Sequence, residues 1–445
     1  MWFMPVHYAS RGSTAREIAA SVEQAVAAGV LAPGAMVEPI RRLAAELGVN
    51  PNTVAAAYRM LRERGVVQTA GRRGTRVRSR PATVPLDRTP LEIPAGVHDL
   101  ADGRPAASLL PRLAEPLRLG ATAAAGRGYG DDDIAAALAA GARATLGADG
   151  VPAQHLAVAH STLDAVERVL QVHLRPGDRV AIEDPAWANL VDLLAALGLV
   201  VEPVELDDNG IRADRLEAAL ARGARAVIVT SRAQVPTGAA ISLARAGALR
   251  RVLSRHRDVL LIEDDHAAGI AGVALAPLAD ATGSWAHVRS VSKAWGPDLR
   301  LAVLAGDATT IDRLRARQRL GPGWVSHAVQ EAVAVLWQSQ PAQTLVRNAE
   351  REYTKLRTAL LAALSERGVP AHGRSGVNVW VPVRDETTAV TSLLGNGWAV
   401  AAGSRFRLAS SPGLRITIAT LRVSEVFPLA DATARALSSV SSRGV

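Results

Sequence analysis

The chain has no cysteine in its 445 residues. Disulfides, thiolate zinc sites and a cysteine nucleophile are therefore excluded. It has no apolar run approaching about 18 residues, so no segment is expected to span a membrane. Met1–Ser10 lacks the basic stretch followed by an apolar run that marks a secretory leader. A soluble, cytoplasmic protein is the resulting expectation. No repeat with a period of about 20–50 residues indicates a solenoid, and Gly and Pro are dispersed rather than gathered into a low-complexity tract. Gly126, Gly128 and Gly130 do not form a dinucleotide fingerprint. No strand–turn–helix nucleophile elbow is visible. Lysine is almost absent too: Lys293 and Lys355 are the only two among 51 Lys and Arg residues. A lysine that persists against such a bias points to chemistry that a guanidinium cannot do, Schiff-base formation above all.

What is present suggests more than one domain. The length predicts two to four units at about 100–200 residues each. With 49% apolar and 21% charged residues, the chain can bury sizeable cores. The net charge of +9 is unevenly placed: residues 1–80 carry twelve arginines and five glutamates, a net +7. Basic charge confined to one small module points to a polyanion partner, with a solvated basic surface as the alternative.

In residues 10–80 the apolar spacing predicts three short helices and a hairpin. Ile18, Val22 and Val26 recur at helical spacing after a possible cap at Ser13, with Gly29 as the stop. Ile40, Leu43, Ala44 and Leu47 form a second stripe, ended by Gly48. Asn50 as N-cap and Pro51 at the first helical position open a third helix. Its buried stripe is Val54, Ala57, Tyr58 and Leu61. The tight turn Gly48–Pro51 between two amphipathic helices has the pattern of a helix-turn-helix. Asn52, Thr53, Ala56 and Arg59 then face outward near the start of the third helix, where base edges are read. A hairpin with the basic tip Gly71-Arg72-Arg73-Gly74 follows, placed as a wing for phosphates or the minor groove. A three-helix bundle unrelated to DNA is the alternative.

These stretches resemble the GntR-type winged helix. They are Arg41–Asn50, Asn52-Thr53-Val54 with Ala57-Tyr58, and Gly74–Val77. The resemblance implies DNA contacts by Arg41, Asn52, Thr53, Arg59, Arg72 and Arg73. It departs at Met36-Val37-Glu38-Pro39, where the family has a more basic turn.

Residues 81–98, with Pro81, Pro85, Pro90 and Pro94, are expected to be a linker. From 99 to 445, candidate strands at 156–159, 179–182, 200–204, 226–230, 259–262, 288–291 and 301–304 alternate with helical patterns. That predicts a largely parallel α/β sheet covered on both faces, with ligands beyond the strands' carboxyl ends. Residues just after those ends are Glu263-Asp264-Asp265-His266, Ser292-Lys293 with Gly296–Arg300, His160-Ser161-Thr162, and Gln234–Gly238. A lysine for a Schiff base, a carboxylate for a ring nitrogen, and hydroxyls with an arginine for a phosphate suit pyridoxal 5'-phosphate. The acidic run could instead be read as a metal cluster. Successive strand residues point to opposite faces, however, so at most two could converge.

This second set resembles the fold type I aminotransferases of class I and II. Joined to a GntR winged helix, it resembles the MocR family of regulators over nearly the whole chain. The resemblance implies an α/β large domain with a mostly parallel sheet and a small C-terminal α+β subdomain, preceded by the winged helix. It implies Lys293 as the Schiff-base lysine and Asp264 as partner of the pyridinium nitrogen. His266 stands where relatives have a tyrosine near the phenolic oxygen. Ser161, Thr162, Ser290 and Arg300 match phosphate ligands, and Trp187 the aromatic that stacks on the ring. Arg415 matches the arginine for a ligand carboxylate, and Tyr129 a tyrosine that reaches the partner's phosphate in a homodimer. No metal is implied. Val235 departs from the pattern: the asparagine expected there hydrogen-bonds the phenolic oxygen, which valine cannot do. The resulting expectation is a regulator that binds an operator and senses pyridoxal phosphate or its adduct with an amine or amino acid. The alternative is an aminotransferase with an accessory DNA-binding module.

Overall fold

Helix α1 (Ala15–Ala27) starts at a reciprocal cap. The Thr14 hydroxyl accepts from Glu17 N at 3.3 Å, and the Glu17 carboxylate accepts from Thr14 N at 3.2 Å. The cap is thus Thr14, one residue beyond the expected Ser13, because the glutamate three residues after Thr14 completes the capping box. Ser13 still contributes its own N–H to Glu17, at 2.9 Å. This computed structural model describes residues 12–27, 30–31, 34–63, 66–69, 74–77 and 93–441. Gly29, Arg72, Arg73 and most of the expected linker lie outside them.

Helix α2 (Ile40–Leu47) stops at Gly48, which takes the left-handed conformation at φ 65° that glycine adopts without penalty. Helix α3 (Pro51–Glu63) follows, and Asn50 Oδ1 accepts from Asn52 N at 2.8 Å at its start. Val54, Ala57, Tyr58 and Leu61 are buried against Ile18, Val22 and Leu43. Each such aliphatic side chain stabilises the module by about 1.5–3 kcal/mol. The Tyr58 hydroxyl donates to Glu38 O at 2.7 Å, so its burial leaves no unmet donor. Strands β1 (Val67–Thr69) and β2 (Thr75–Val77) pair antiparallel and close this core with Val67 and Val77.

The second unit, described by itself, begins with β3 (His98–Asp99). Its large sheet contains β4 (His155–Ala159), β5 (Arg179–Asp184), β6 (Val200–Asp207), β7 (Gly210–Ile211), β8 (Ala224–Thr230), β9 (Leu260–Asp265), β10 (Ser284–Ser290) and β11 (Ala302–Gly306). Their order is β4-β11-β10-β9-β8-β5-β6-β7. Strands β8, β9 and β10 are parallel, and β11 runs antiparallel to both β10 and β4. Hence β4, β8, β9 and β10 all point their carboxyl ends to one edge. Val227, Val229 and Leu261 pack into one large apolar core, and the strands are buried on both faces. That is why they read as continuous Val/Ile runs.

Several strands extend beyond their apolar runs, β5 to Asp184 and β6 to Asp207 among them, as do β9 and β10. Strand β9 continues through Asp265 because two of its acids, Glu263 and Asp265, are paired within the sheet. Glu263 accepts from the Ser231 hydroxyl (2.8 Å) and Leu278 N (2.9 Å), and Asp265 from Arg232 (2.7 Å) and Arg289 (2.9 Å). Strand β10 begins at Ser284, ahead of the apolar signal, with His287 beside Glu263 at 3.4 Å.

A smaller sheet, β12-β15-β14, joins β12 (Asn378–Pro382), β14 (Ala401–Ala402) and β15 (Gly413–Thr417). Strand β13 (Trp398–Ala399) pairs with β3 instead. The long helices Gln340–Glu366 and Val426–Ser441 share a core with this sheet, including Leu356, Leu360, Val379, Ile416 and Leu429. This is the α+β subdomain expected near the C-terminus. Among the described residues no helix is long and apolar enough to cross a membrane.

Candidate functional site

On α3 the buried stripe leaves Asn52 and Arg59 exposed and Thr53 half-buried, all on the face away from α1 and α2. Arg41 on α2 is exposed as well. Its neighbour Arg42 pairs with Glu38 (3.4 Å) and Glu46 (3.2 Å), so the acid in the atypical turn preceding α2 takes up one of the two adjacent arginines. Arg72 and Arg73 lie outside the described residues.

At the sheet edge, the alternation of β9 separates three acids. Glu263 and Asp265 belong to the buried network with His287, Arg232 and Arg289. Asp264 points to the other face. Its Oδ2 meets His266 Nδ1 at 3.0 Å, while Oδ1 is buried with no hydrogen-bond partner. A buried acceptor without a donor costs about 1–3 kcal/mol, more when charged. A protonated ring nitrogen is a donor of the kind this oxygen lacks, so the pyridinium of pyridoxal phosphate fits here. The three acids thus divide between the two faces of the strand, Glu263 and Asp265 in the buried network and Asp264 beside His266.

Lys293 lies on the short helix Ser292–Trp295 just past β10 and is half-buried, with Nζ donating to Gly103 O. Arg415, in β15, is buried; it donates to Ala101 O, and its guanidinium carbon lies 4.8 Å from the Phe406 ring centroid. Residues 101–103 therefore bring the lysine and the arginine to one short segment. Sequence reasoning missed this segment, since Ala101-Asp102-Gly103 shows no periodic signal.

Ser161 precedes the helix Thr162–His173, and its hydroxyl oxygen accepts from Asp164 N at 3.1 Å. Ser290 ends β10 and accepts from Ser292 N at 3.1 Å. Each hydroxyl keeps its own hydrogen for an anion, and helix N-termini favour negative charge. Thr162 is buried in the first helical turn. Arg300 is exposed and takes a left-handed conformation, φ 43°, after the turn Pro297–Leu299. Trp187 is half-buried where the chain turns from β5 into the helix Ala188–Ala196, with its carbonyl accepting from Leu190 N at 3.0 Å.

Gln234 does not stand in for the missing asparagine. Its Nε2 donates to Pro185 O (2.8 Å), and its Oε1 accepts from Thr237 N (3.0 Å) and the Thr237 hydroxyl (2.6 Å). Val235 packs against a small cluster that includes Ala101, Ala188 and Phe406. Tyr129 is 96% exposed and meets Trp324 edge-on at 5.4 Å. A further group went unread: Glu183, in β5, is buried and accepts from Thr230 N and the Thr230 hydroxyl, both at 2.9 Å. Burial pushes its carboxyl up to about 8 against the pull of those hydrogen bonds, with the charge of Asp264 adding to the rise.

Residues 14–77 match the model of the bacterial regulatory proteins of the gntR family, and residues 118–432 match that of aminotransferase class I and II. The chain belongs to the MocR family. Within this group of regulators it is 40% identical, over 94% of its length, to a protein from Salmonella typhimurium. That protein is the vitamin B6 salvage pathway transcriptional repressor PtsJ, 97% of which is covered. It is 25% identical, over 56% of its length, to the HTH-type pyridoxine biosynthesis transcriptional regulator PdxR of Corynebacterium glutamicum, 55% of which is covered. The fold of the MocR large domain is also that of α-aminoadipate aminotransferase LysN from Thermus thermophilus, with TM-score 0.68 and 21% identity over 82% of this chain and 97% of that one. A multiple substrate aminotransferase from Thermococcus profundus gives TM-score 0.70 at 19% identity, over 79% and 93%.

Proposed function

We propose that the chain is a DNA-binding transcriptional regulator, residing in the cytoplasm, whose large domain binds pyridoxal 5'-phosphate, alone or condensed with an amine. Residues 10–80 are the DNA-binding head, 81–98 the linker and 99–445 the effector domain. The observation that carries this reading is the buried, unpartnered Oδ1 of Asp264 in a chain that also presents a recognition helix. Pyridoxal phosphate supplies a reactive carbonyl and an electron-withdrawing ring. Lys293 holds it covalently, Asp264 keeps a proton on the ring nitrogen, and Trp187 stacks on the ring. Ser161, Thr162, Ser290 and Arg300 take the phosphate, His266 lies toward the phenolic oxygen, and Arg415 takes a ligand carboxylate. The exposed Tyr129 suits a role across the interface of a homodimer whose two heads read paired half-sites.

The aminotransferase reading draws on the same lysine, aspartate and arginine. Against it, Val235 packs in an apolar cluster and offers the phenolic oxygen no donor. Binding needs Lys293 and the phosphate ligands, whereas turnover also needs the ring to be tuned at that oxygen.

The test is DNA affinity of the full chain for its own upstream region, by fluorescence anisotropy, with and without pyridoxal phosphate. Arg41→Ala should weaken binding to all sequences and lower the log–log salt slope by about one, and Arg59→Ala should lower that slope too while relaxing preference at one base position. Asn52→Ala should instead change sequence preference, with a loss of about 1–3 kcal/mol at one base position. Unaltered salt slopes in both arginine variants would remove α2 and α3 from the DNA interface.

A further inference from the structure

The loop 403–413 leads from β14 into β15 and carries Phe406, the aromatic floor of Arg415. It is held from two sides. Glu386, at the start of the helix Glu386–Gly395, accepts from Ser404 N (2.7 Å) and Gly413 N (3.0 Å) and pairs with Arg407 at 2.7 Å. The other anchor is Asp184, the last residue of β5, which is 5% exposed. Its carboxylate accepts from the amides of Leu408 (2.9 Å), Ala409 (2.8 Å) and Ser410 (2.8 Å) and from the Ser410 hydroxyl (2.8 Å). Four donors fill the lone-pair sites of an ionised carboxylate.

Asp184 also stands three residues before Trp187. Between them, Ala186 N donates to Phe406 O at 2.8 Å, and Ala188, just after Trp187, packs in the same cluster as Phe406. One carboxylate therefore ties the turn that bears the stacking tryptophan to the loop that bears the arginine's floor. Hydrogen bonds to an ionised acceptor are about twice as strong as neutral ones, so this tie is stiff.

We propose that Asp184 is a positioning residue that fixes Trp187 against Arg415 and thereby gives the protein its preference for amines that carry a carboxylate, that is, amino acids over simple amines. The inference rests on the cofactor reading above. Loosening Asp184 frees the middle of the loop while Glu386 still holds both its ends. The Phe406 floor beneath the Arg415 guanidinium loses its fixed place, while Lys293, Asp264 and Ser161 are untouched. An amine without a carboxylate never uses Arg415 and should not register the change.

The experiment uses the full chain loaded with pyridoxal phosphate and follows its visible absorbance on adding L-alanine or ethylamine, which differ by the carboxylate. In Asp184→Asn one acceptor oxygen becomes an NH2 group facing amide donors. The apparent Kd for L-alanine is expected to rise about tenfold, since sub-ångström placement of such groups governs their contribution. That for ethylamine should stay within about twofold. Ser410→Ala removes only the hydroxyl contact and should shift L-alanine alone, by about two- to threefold; it carries the test if Asp184→Asn does not fold. Equal losses for both amines, or no loss for either, would overturn the role of Asp184. A wild-type protein that gains no visible absorbance with pyridoxal phosphate would overturn the cofactor reading itself; one that gains it but responds to neither amine would overturn only the role of Asp184.

Discussion

Lys293→Ala is expected to abolish the visible absorption that the protein gains with pyridoxal phosphate and to flatten the response of DNA affinity to it. Only one other lysine could substitute, and Lys355 is exposed on the helix Gln340–Glu366, remote in kind from a strand-end site. Lys293 must also release the Gly103 carbonyl in order to form a covalent bond, so cofactor attachment alters what holds residues 101–103. A ligand carboxylate at Arg415 would meet a guanidinium that already donates to the Ala101 carbonyl. Both contacts act on the segment that directly follows the 81–98 stretch in the chain. A switch needs only a modest difference: couplings of about 1–3 kcal/mol change affinity about 5–150-fold. The check is absorbance after borohydride reduction and dialysis, with DNA affinity measured for apo and loaded protein. A band that survives in the variant would move the covalent link away from Lys293. An unchanged affinity for DNA in wild type, together with rapid multiple turnover on an ordinary amino acid, would favour the enzyme.

The helical module was nearly complete in the sequence because its signals are local. Gly48 stops α2 and Asn50-Pro51 opens α3 through contacts within four residues. The single displacement, from Ser13 to Thr14 at the cap, turns on which residue Glu17 can reach. The central strands of the large sheet, β8 and β9 among them, were legible for a related reason: burial on both faces leaves unbroken Val/Ile runs. Their ends were not, because Glu263, Asp265 and His287 are charged or polar residues inside a sheet, and only their distant partners Arg232 and Arg289 make that tolerable. The same limit governed the site. Lys293 and Ser161 follow strands, Asp264 lies near the carboxyl end of one, and all three are legible on that ground. The 101–103 segment, Asp184 and Glu183 owe their places to residues roughly 50 to 300 positions away, at Thr230, Leu408 and Arg415.

Glu183→Gln should stabilise the protein increasingly as pH rises. In the folded chain the Glu183 carboxyl is pushed up to about 8 by burial, from an ordinary value of 4.5. Between those values the folded state holds a proton that the unfolded state has released. Its contribution to stability is therefore fully present below 4.5 and is lost as pH rises through about 8, with a slope of about 1.4 kcal/mol per pH unit. Glutamine preserves both contacts: its carbonyl can accept from Thr230 N, and its NH2 can donate to the Thr230 hydroxyl, as a protonated carboxyl would. It has no proton to lose and is unaffected by the negative charge of Asp264. The gain over wild type should thus grow by about 3 kcal/mol between about pH 5.5 and 8, then level off. Urea midpoints of the cofactor-free proteins across that range measure it directly, since an unchanged m-value assigns the shift to stability. A gain that is constant with pH would mean that Glu183 is ionised in the folded protein despite its burial.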